Sequence, residues 1–517
     1  MLFSLVAPLP AFSPAESAST SKHAAISVVD TLSKGLKRVA GVAKTRRDPL
    51  LVQDKPWEPR LDNGYPNVLP PESPKDPWQL WYGDCVKGCG TQILLYANSS
   101  DGLTWEKPSL GLFDVGTVRD DLKAIGKANN IILEGGGIGV YRDPSATDPS
   151  KKYVAFGPGC YSAPGLASPS NACDMMWSET EEGGVRRVQA GYPREDLAFS
   201  ADGLRWGMAT AVTWPSPQRY DCHNNLFRVA SSGKYAATTR DGFSQAPGRA
   251  IGMALTPEPS LEFNTTGAPR LTLGGSLEHQ LYSQITFPWL DIFLGIVMVY
   301  DAQDPNGRVH CRLAWAPGAP AATTTTTTPA PDADAAHALP VPLGPWAWVE
   351  DNGLTGSETI PLGDDGAFDS HVCFAAASPV TWQGEERIYY MGGNGPHSGE
   401  RNSSLGLATL RQDGFAAVAG SGTLVTVDLL VTGPWLTATV DVGSAGGAGS
   451  VRLGLRSGDG PAGLAVDKAA PLTTNRTDAH VSFEGGADFS SLIGTKVVLE
   501  AQLDNAMLYS VGFAPRG

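Results

Sequence analysis

Charge is what this 517-residue chain has least of: Asp, Glu, Lys and Arg together make up 18% of it, against about 25% in an average soluble protein. The basic sign is the scarcer, 39 Lys and Arg against 53 Asp and Glu, for a net charge of −14. Nucleic-acid binders concentrate Lys and Arg, so this balance argues against a nucleic-acid partner. No apolar run approaches the ~20 residues that span a bilayer, and no membrane span is expected. No two cysteines are spaced Cys-x-x-Cys, which argues against a cysteine zinc site. Neither a metal nor a cofactor is called for. The seven cysteines are an odd count. Cys85 with Cys89 would close a small loop and Cys160 with Cys173 a larger one, the alternative being free thiols within sheets. The apolar first dozen residues lack a basic start and are broken by Pro8 and Pro10, although Ala15, Ser17 and Ala18 could supply a cleavage site. Residues 1–44 therefore read as an N-terminal extension or targeting segment, with residues 13–44 outside the fold.

What the chain has in abundance is turn chemistry. Gly (60) and Pro (40) are together about a fifth of it, where about 12% is usual, and hydrophobic residues still reach 42%. Many short strands fit that composition better than long helices. The strands recur as a pattern. WQLWYG at 78–83 precedes ILLYANSSDGLTW at 93–105, and KKYVAFG at 151–157 precedes DLAFSADGLRW at 196–206. Both second segments end in Ser-x-Asp-Gly-x-x-Trp, through Ser99, Asp101, Gly102 and Trp105, and through Ser200, Asp202, Gly203 and Trp206. Asp-Gly between alternating apolar residues is a strong hairpin signal. Looser copies run through 233–263, 293–318 and 387–415. The anchoring residues Tyr82, Tyr153, Tyr235, Tyr300 and Tyr390 are spaced 71, 82, 65 and 90 apart. The longest gap holds a Thr/Ala/Pro run at 317–342, with six consecutive threonines, which cannot build a core and reads as a disordered insertion at a hairpin tip.

Five such units predict an all-β fold, a five-bladed β-propeller over 45–415. Each unit needs one more strand before its tyrosine strand, and 60–70, 136–144, 219–229, 278–289 and 371–382 are the candidates. Beyond 415 the pattern changes to short alternating strands, predicting a separate β-sandwich over 416–517. Four Asn-x-Ser/Thr sequons, at Asn98, Asn264, Asn402 and Asn475, favour an extracellular or secretory location.

Inner strands of a propeller converge, so polar residues near their starts meet although far apart in sequence. The first carries Arg60, Asp62 and Asn63; the second, Arg142 and Asp143; the third, Asp221, His223, Asn224 and Asn225; the fourth, Glu278, His279 and Gln280; the fifth, Asp369 and His371. One lone acid in a strand is more often a structural partner for a turn. Five coincident strands weaken that reading. Cleavage of a glycosidic bond needs one carboxylic acid to protonate the leaving oxygen and one carboxylate as nucleophile or base, and crowding carboxylates splits their pKa values. Arg, His, Asn and Gln between them would hold sugar hydroxyls.

The unit pattern, the Arg142-Asp143-Pro144 tripeptide and the trailing strands resemble the five-bladed propeller glycoside hydrolases of families 32 and 43, closest to family 32-like proteins of uncharacterised activity. The residues carrying the resemblance are Pro56 to Val68, the two Asp-Gly-x-x-Trp turns and Leu405 to Phe415. It implies a glycoside hydrolase or transglycosidase acting on an oligo- or polysaccharide. It implies Asp62 as nucleophile or base, Asp143 as stabiliser of the transition state and the third strand as source of the general acid. Where the family has Glu-Cys-Pro this chain has Asp221-Cys222-His223, so Asp221 and Glu278 are alternative acids. Arg60, Asn63, Arg142, His223, Asn224, Gln280, Asp369 and His371 are the expected substrate-binding residues. The departure in the acid motif supports the alternative, a catalytically silent carbohydrate-binding or cell-surface protein.

Deleting residues 317–342 is expected to shift the melting temperature by no more than a few degrees, because the run contributes no core and its ends lie at one hairpin tip. A collapse of folding on deletion would show that the run is structural.

Overall fold

The computed structural model describes residues 21–89, 92–158, 176–182, 185–191, 195–207, 210–211, 220–229, 234–241, 248–256, 270–271, 273–318, 345–443 and 446–515. Among these, regular structure is strand apart from single turns of 3-10 helix. The protein is all-β. No described helix is long and apolar enough to cross a membrane.

Antiparallel strands group into three four-stranded sheets and one nine-stranded sheet, which a single parallel bridge between Val309 and Val372 divides into two further units. The first unit is Asn67–Leu69, Trp78–Cys89, Gln92–Ser99 and Ile131–Glu134. The second is Gly139–Arg142, Tyr153–Pro158, Glu195–Ser200 and Thr210–Ala211. Tyr220–Val229, Lys234–Asp241, Ala250–Thr256 and Arg270–Leu271 form the third, and His279–Trp289, Ile292–Asp301, Val309–Pro317 and Ala347–Trp348 the fourth. In the fifth, Val372–Ala375, Glu385–Gly393 and Ser403–Arg411 are completed by Lys44–Thr45 from the N-terminal end of the chain. Each first strand falls inside the stretch expected for it, and each second strand carries its tyrosine. The Thr/Ala/Pro run lies almost wholly outside the described residues. Its flanks pair as expected, Trp315 with Ala347 and Ala314 with Trp348.

The repeated Ser-x-Asp-Gly turn has a packing reason. Ser99 Oγ accepts from Gly102 N (2.8 Å) and Asp101 Oδ1 from Leu103 N (2.7 Å) and Thr104 N (2.8 Å). Ser200 and Asp202 make the same bonds to Gly203, Leu204 and Arg205. The turn presents a glycine carbonyl to the neighbouring unit: Tyr389 donates to Gly102 O (2.9 Å) and Trp81 Nε1 to Gly203 O (2.8 Å). A side chain at Gly102 or Gly203 would collide with Tyr389 and Trp78 or with Trp81.

The N-terminal expectation is corrected. Residues from 21 onward belong to the fold: Ser21–Ala24, Val29–Leu32 and Leu36–Ala40 join an eight-stranded sheet with Ala416–Thr426, Trp435–Val442, Ser450–Leu455, Arg476–His480 and Leu499–Ala514. Each N-terminal strand is only four or five residues long, too short to show a two-residue period in a segment rich in Ser and Lys. Ala24, Ala25, Ile26 and Val28 are nonetheless fully buried. Asp291 of the fourth unit receives Ala24 N (2.8 Å) and Ser27 Oγ (3.1 Å) and contacts His23 Nδ1 (2.9 Å). Lys22 is ion-paired with Asp413 and Asp478.

Cys311 and Cys373 form a disulfide across a separation of 62 residues, tying the fourth unit to the fifth. This pair was not among the expected ones, since nothing in the sequence brings those cysteines together. Cys85 is also disulfide-bonded, and Cys160 and Cys173 lie outside the described residues. Closing a loop of that size restricts the unfolded chain by about 4 kcal/mol. Replacing Cys311 and Cys373 together by Ser is expected to lower unfolding free energy in denaturant by an amount of that order. An unchanged midpoint would mean that the bond adds nothing to stability.

Candidate functional site

The first strands are bound side by side through buried amides. Asn67 Nδ2 donates to Ile138 O (2.9 Å) and its Oδ1 accepts from Val140 N (2.9 Å), linking units one and two. Asn224 Nδ2 donates to Gly137 O (3.0 Å), linking two and three. Asn225 accepts from Thr286 N (3.1 Å) in unit four and donates to Ala377 O (3.1 Å) in unit five. Ala377 N donates to Pro66 O (3.0 Å), which returns to unit one. The circuit is closed. It also levels the strands, so residues just before Asn67 and Asn224 share one end.

At that end the backbone departs from regular strand in three places. Asp62, Gly64 and Tyr65 have φ of +48°, +62° and +40°, and such conformations in non-glycine residues cost on the order of 1 kcal/mol each and gather at functional sites. Gly64 has a second constraint, because a Cβ there would meet Met391. The register slips between Asp221 and Asn225, and again between Leu281 and Ser283. Bulges of this kind re-aim side chains, here His223 and Tyr282.

Asp62 Oδ1 is held by Arg60 (Nε 3.0 Å, Nη2 2.9 Å) and by Arg401 Nη2 (2.5 Å). The same Arg401 atom donates to Asn63 Oδ1 (2.6 Å), and Asn63 Nδ2 donates to the Tyr65 hydroxyl (2.6 Å) and the Tyr282 hydroxyl (3.3 Å). Asp221 is ion-paired with Arg240, both buried. Tyr65, Tyr282, Phe374 and His397 form an aromatic floor, with Tyr65–Phe374, Tyr282–Phe374 and Tyr282–His397 ring centroids 5.7, 5.3 and 4.6 Å apart. The His223 ring lies 5.2 Å from Tyr65. It is 1% exposed with no partner on either nitrogen, and burial brings its pKa down to about 3. His397 is also held well below the usual histidine range, by burial and then by Arg401, Arg249, Arg240 and Arg60. Gln280 Oε1 accepts from Arg249 Nη1 (2.8 Å).

Beneath the Arg60–Gly64 loop lies an acid that sequence reasoning missed. Cys85 N donates to Arg60 O (2.9 Å) and Gly83 N to Gly64 O (2.6 Å), so Asp84 is fixed directly between these anchor points. It is 2% exposed and neither carboxyl oxygen makes a hydrogen bond. Burial, then the charges of Glu58 and Asp62, push its pKa up to about 8.

Of the expected site residues, Arg60, Asp62, Asn63, Asp221, His223 and Gln280 belong to this cluster. Asn224 serves the central circuit. Asp143 and Arg142 are not brought here, because Arg142 ends its strand and Asp143 follows it. Arg142 Nη1 reaches Pro70 O (3.0 Å), beyond the end of the first strand of unit one. The Asp143 carboxylate accepts from Ser145 N (2.9 Å), Ser145 Oγ (2.7 Å) and the Tyr235 hydroxyl (2.6 Å), which makes it a cap for the following turn. Asp369 accepts from the Tyr390 hydroxyl (2.6 Å), and His371 Nδ1 contacts Ser370 Oγ (2.8 Å). Among the described residues no contact ties either to the cluster. Glu278 stands on the rim, its pKa lowered first by a hydrogen bond with Ser276. Arg240, Arg249, Arg401, Tyr282 and His397 were missed because all but Tyr282 lie on second strands, turns and loops, where no motif marks them.

The chain is similar to solved structures of glycoside hydrolases. One is a thermostable family-43 glycoside hydrolase (13% identity, TM-score 0.38, covering 69% of this chain and 92% of that one). Another is the exo-β-1,3-galactanase of Phanerochaete chrysosporium, solved with galactose (10% identity, TM-score 0.35, 89% and 99% covered). A third is the family-32 β-fructofuranosidase of Bombyx mori (11% identity, TM-score 0.36, 91% and 95% covered). At these values the likeness carries no argument about activity. No protein-family model matches the chain, and comparison with curated proteins finds no match.

Asp84 generates a pH test. An unfolded aspartate loses its proton near pH 4, whereas the folded chain keeps this one to about pH 8. The folded state therefore binds the extra proton across that window, and stability falls as pH rises through it, by about 1.4 kcal/mol per pH unit. Asp84→Asn is expected to flatten the slope of unfolding free energy between about pH 5 and about pH 7 by that amount. Parallel slopes for the two proteins would remove Asp84 as the buried acid.

Proposed function

We propose that the five units are the blades of a five-bladed β-propeller, with the eight-stranded array as a sandwich-like companion. We read the protein as a secreted glycoside hydrolase whose substrate enters the end of the propeller occupied by Asp62. One observation carries this reading: groups from different units, remote in sequence, converge there on an aromatic floor with buried polar atoms left without partners. Buried polar groups are ordinarily satisfied. An aromatic face with nearby donors suits a sugar ring, which offers apolar C–H faces and hydroxyl edges. The solved structures to which the chain is similar are described as glycoside hydrolases and a β-1,2-mannobiose phosphorylase, some with galactose or arabinobiose bound. The convergence of groups at the Asp62 end, and not this likeness, supports the reading.

In this reading Asp62, oriented by Arg60 and Arg401, is the nucleophile or the base that activates water, and Asn63 and Gln280 hold hydroxyls. The proton donor comes from Asp221 or Glu278. Crowded carboxylates can divide such labour because their environments push their pKa values apart. The Cys311–Cys373 disulfide and the exposed sequons at Asn402 and Asn475 support an oxidising, extracellular setting.

A second reading, carbohydrate binding without cleavage, is favoured by one specific feature. Asp221 is engaged by Arg240 and Glu278 is lowered in pKa, so neither resembles an acid held protonated near neutral pH. Assaying the full chain and Asp62→Asn against a broad panel of neutral and acidic glycans separates the two. Hydrolysis is expected, with a loss on the order of 100-fold or more in the variant. Full activity of Asp62→Asn on a cleaved glycan would remove Asp62 from catalysis, and a glycan bound but never cleaved would establish the second reading.

A further inference from the structure

The site is cationic in a protein that is strongly acidic. Arg60 and Arg401 both hold Asp62, Arg240 and Arg249 both lie over the Tyr282 ring, and all four lower the pKa of His397. Two carboxylates answer them, Asp62 for Arg60 and Arg401 and Asp221 for Arg240. Glu400, 4.0 Å from Arg60, is fully exposed and its pairing is screened by water. Among the described residues two positive charges remain in excess.

The excess is localised. Arg249 has no carboxylate partner among the described residues; it bonds Gln280 and lies over the rings of Tyr282 (5.2 Å) and Tyr300 (5.8 Å). Arg240 is 1% exposed, and its Nε and Nη1 have no hydrogen-bond partner. Its guanidinium sits 4.3 Å from the centre of the same Tyr282 ring. Arg240 and Arg249 thus approach one ring although like charges repel. Buried guanidinium nitrogens without acceptors are costly, and an anion beside both groups would relieve the repulsion and supply the missing acceptors. A guanidinium offers paired donors that match a carboxylate or sulfate edge.

We infer that the ligand of this site is an acidic sugar, whose carboxylate or sulfate ester is received by Arg240 and Arg249 beside the Tyr282 ring. The inference rests on the carbohydrate reading above and narrows it to anionic glycans. Asp62 connects to Tyr282 through Arg401 and Asn63, so the arginine pair that selects the acidic substituent adjoins the proposed reacting carboxylate. Neutral sugars would leave Arg249 without an anionic partner and two Arg240 nitrogens without acceptors, which is a strong basis for rejection.

The test is calorimetric binding to the full-length protein, with glucuronic acid and galacturonic acid in one arm, glucose 6-sulfate and galactose 6-sulfate in a second, and glucose and galactose as neutral controls. Binding of either acidic arm at least about tenfold tighter than the neutral controls is expected, and the stronger arm identifies carboxylate or sulfate as the group recognised. Arg249→Gln should lose that preference about tenfold or more while melting as the wild type does. Arg249→Lys, which keeps the charge without the fork, provides a second variant should Gln not fold, and it should retain part of the preference. Neutral sugars binding as tightly as acidic ones, or acidic binding unchanged in both variants, would overturn the inference. Hydrolysis is read separately: acidic sugars bound with no glycan cleaved would sink the hydrolase reading alone, and neutral glycans cleaved equally by wild type and Arg249→Gln would sink this one alone.

Discussion

First strands of different units lie against one another and are joined through backbone groups of Ile138, Val140, Gly137, Thr286 and Ala377 that side-chain amides receive. An unpaired buried backbone group costs about as much as a lost hydrogen bond, so the arrangement depends on side-chain amides taking the place of a strand. Asn67, Asn224 and Asn225, each no more than 1% exposed, fill that place by donating to the carbonyls of Ile138, Gly137 and Ala377, and Asn67 and Asn225 also accept from Val140 N and Thr286 N. Asn suits this because one short side chain both donates and accepts. These bonds set the level of every first strand, and hence decide which loop residues come together at either end.

The same constraint explains why the site is strained and electrostatically unbalanced. Once the circuit is in place, the residues just before it have no ladder to follow, and the chain turns through positive φ at Asp62, Gly64 and Tyr65 and bulges at His223 and Tyr282. Side chains aimed inward by these irregularities cannot find partners on their own strands. Some meet one another, as Asp62, Arg401 and Asn63 do. Others, such as His223 and two nitrogens of Arg240, remain unpartnered. Behind them Asp84 accommodates burial by keeping its proton, so that a carboxyl group can sit under the loop without adding another full charge.

Periodic features were legible from the residues. The five tyrosine strands and the stretches holding the first strands follow from alternation and Asp-Gly turns, because a strand's pairing is written locally in a two-residue period. Arg60, Asp62, Asn63, Asp221, His223 and Gln280 were legible as a group for the same reason, since they precede the circuit on equivalent strands. Asp143 was not. Its Arg-Asp-Pro context is unchanged by which end of the strand it occupies, and only the register that sets Arg142 against Tyr153, together with the bond from Tyr235, makes it a turn cap.

The amino-acid sequence by itself determined the all-β character and the acidic, charge-poor composition, both of which depend on residue content and on neighbours a few residues apart. Tertiary structure alone decided that Lys44–Thr45 would complete the last unit, that Cys311 would find Cys373, and that residues 21–40 would enter the terminal sheet. It alone gathered Arg60, Arg240, Arg249 and Arg401 around His397. Those pairings span from tens to hundreds of residues, and no local propensity carries them. They exist because packing the sheets together brings remote loops to one end, where burial and charge, not sequence spacing, determine what each side chain meets.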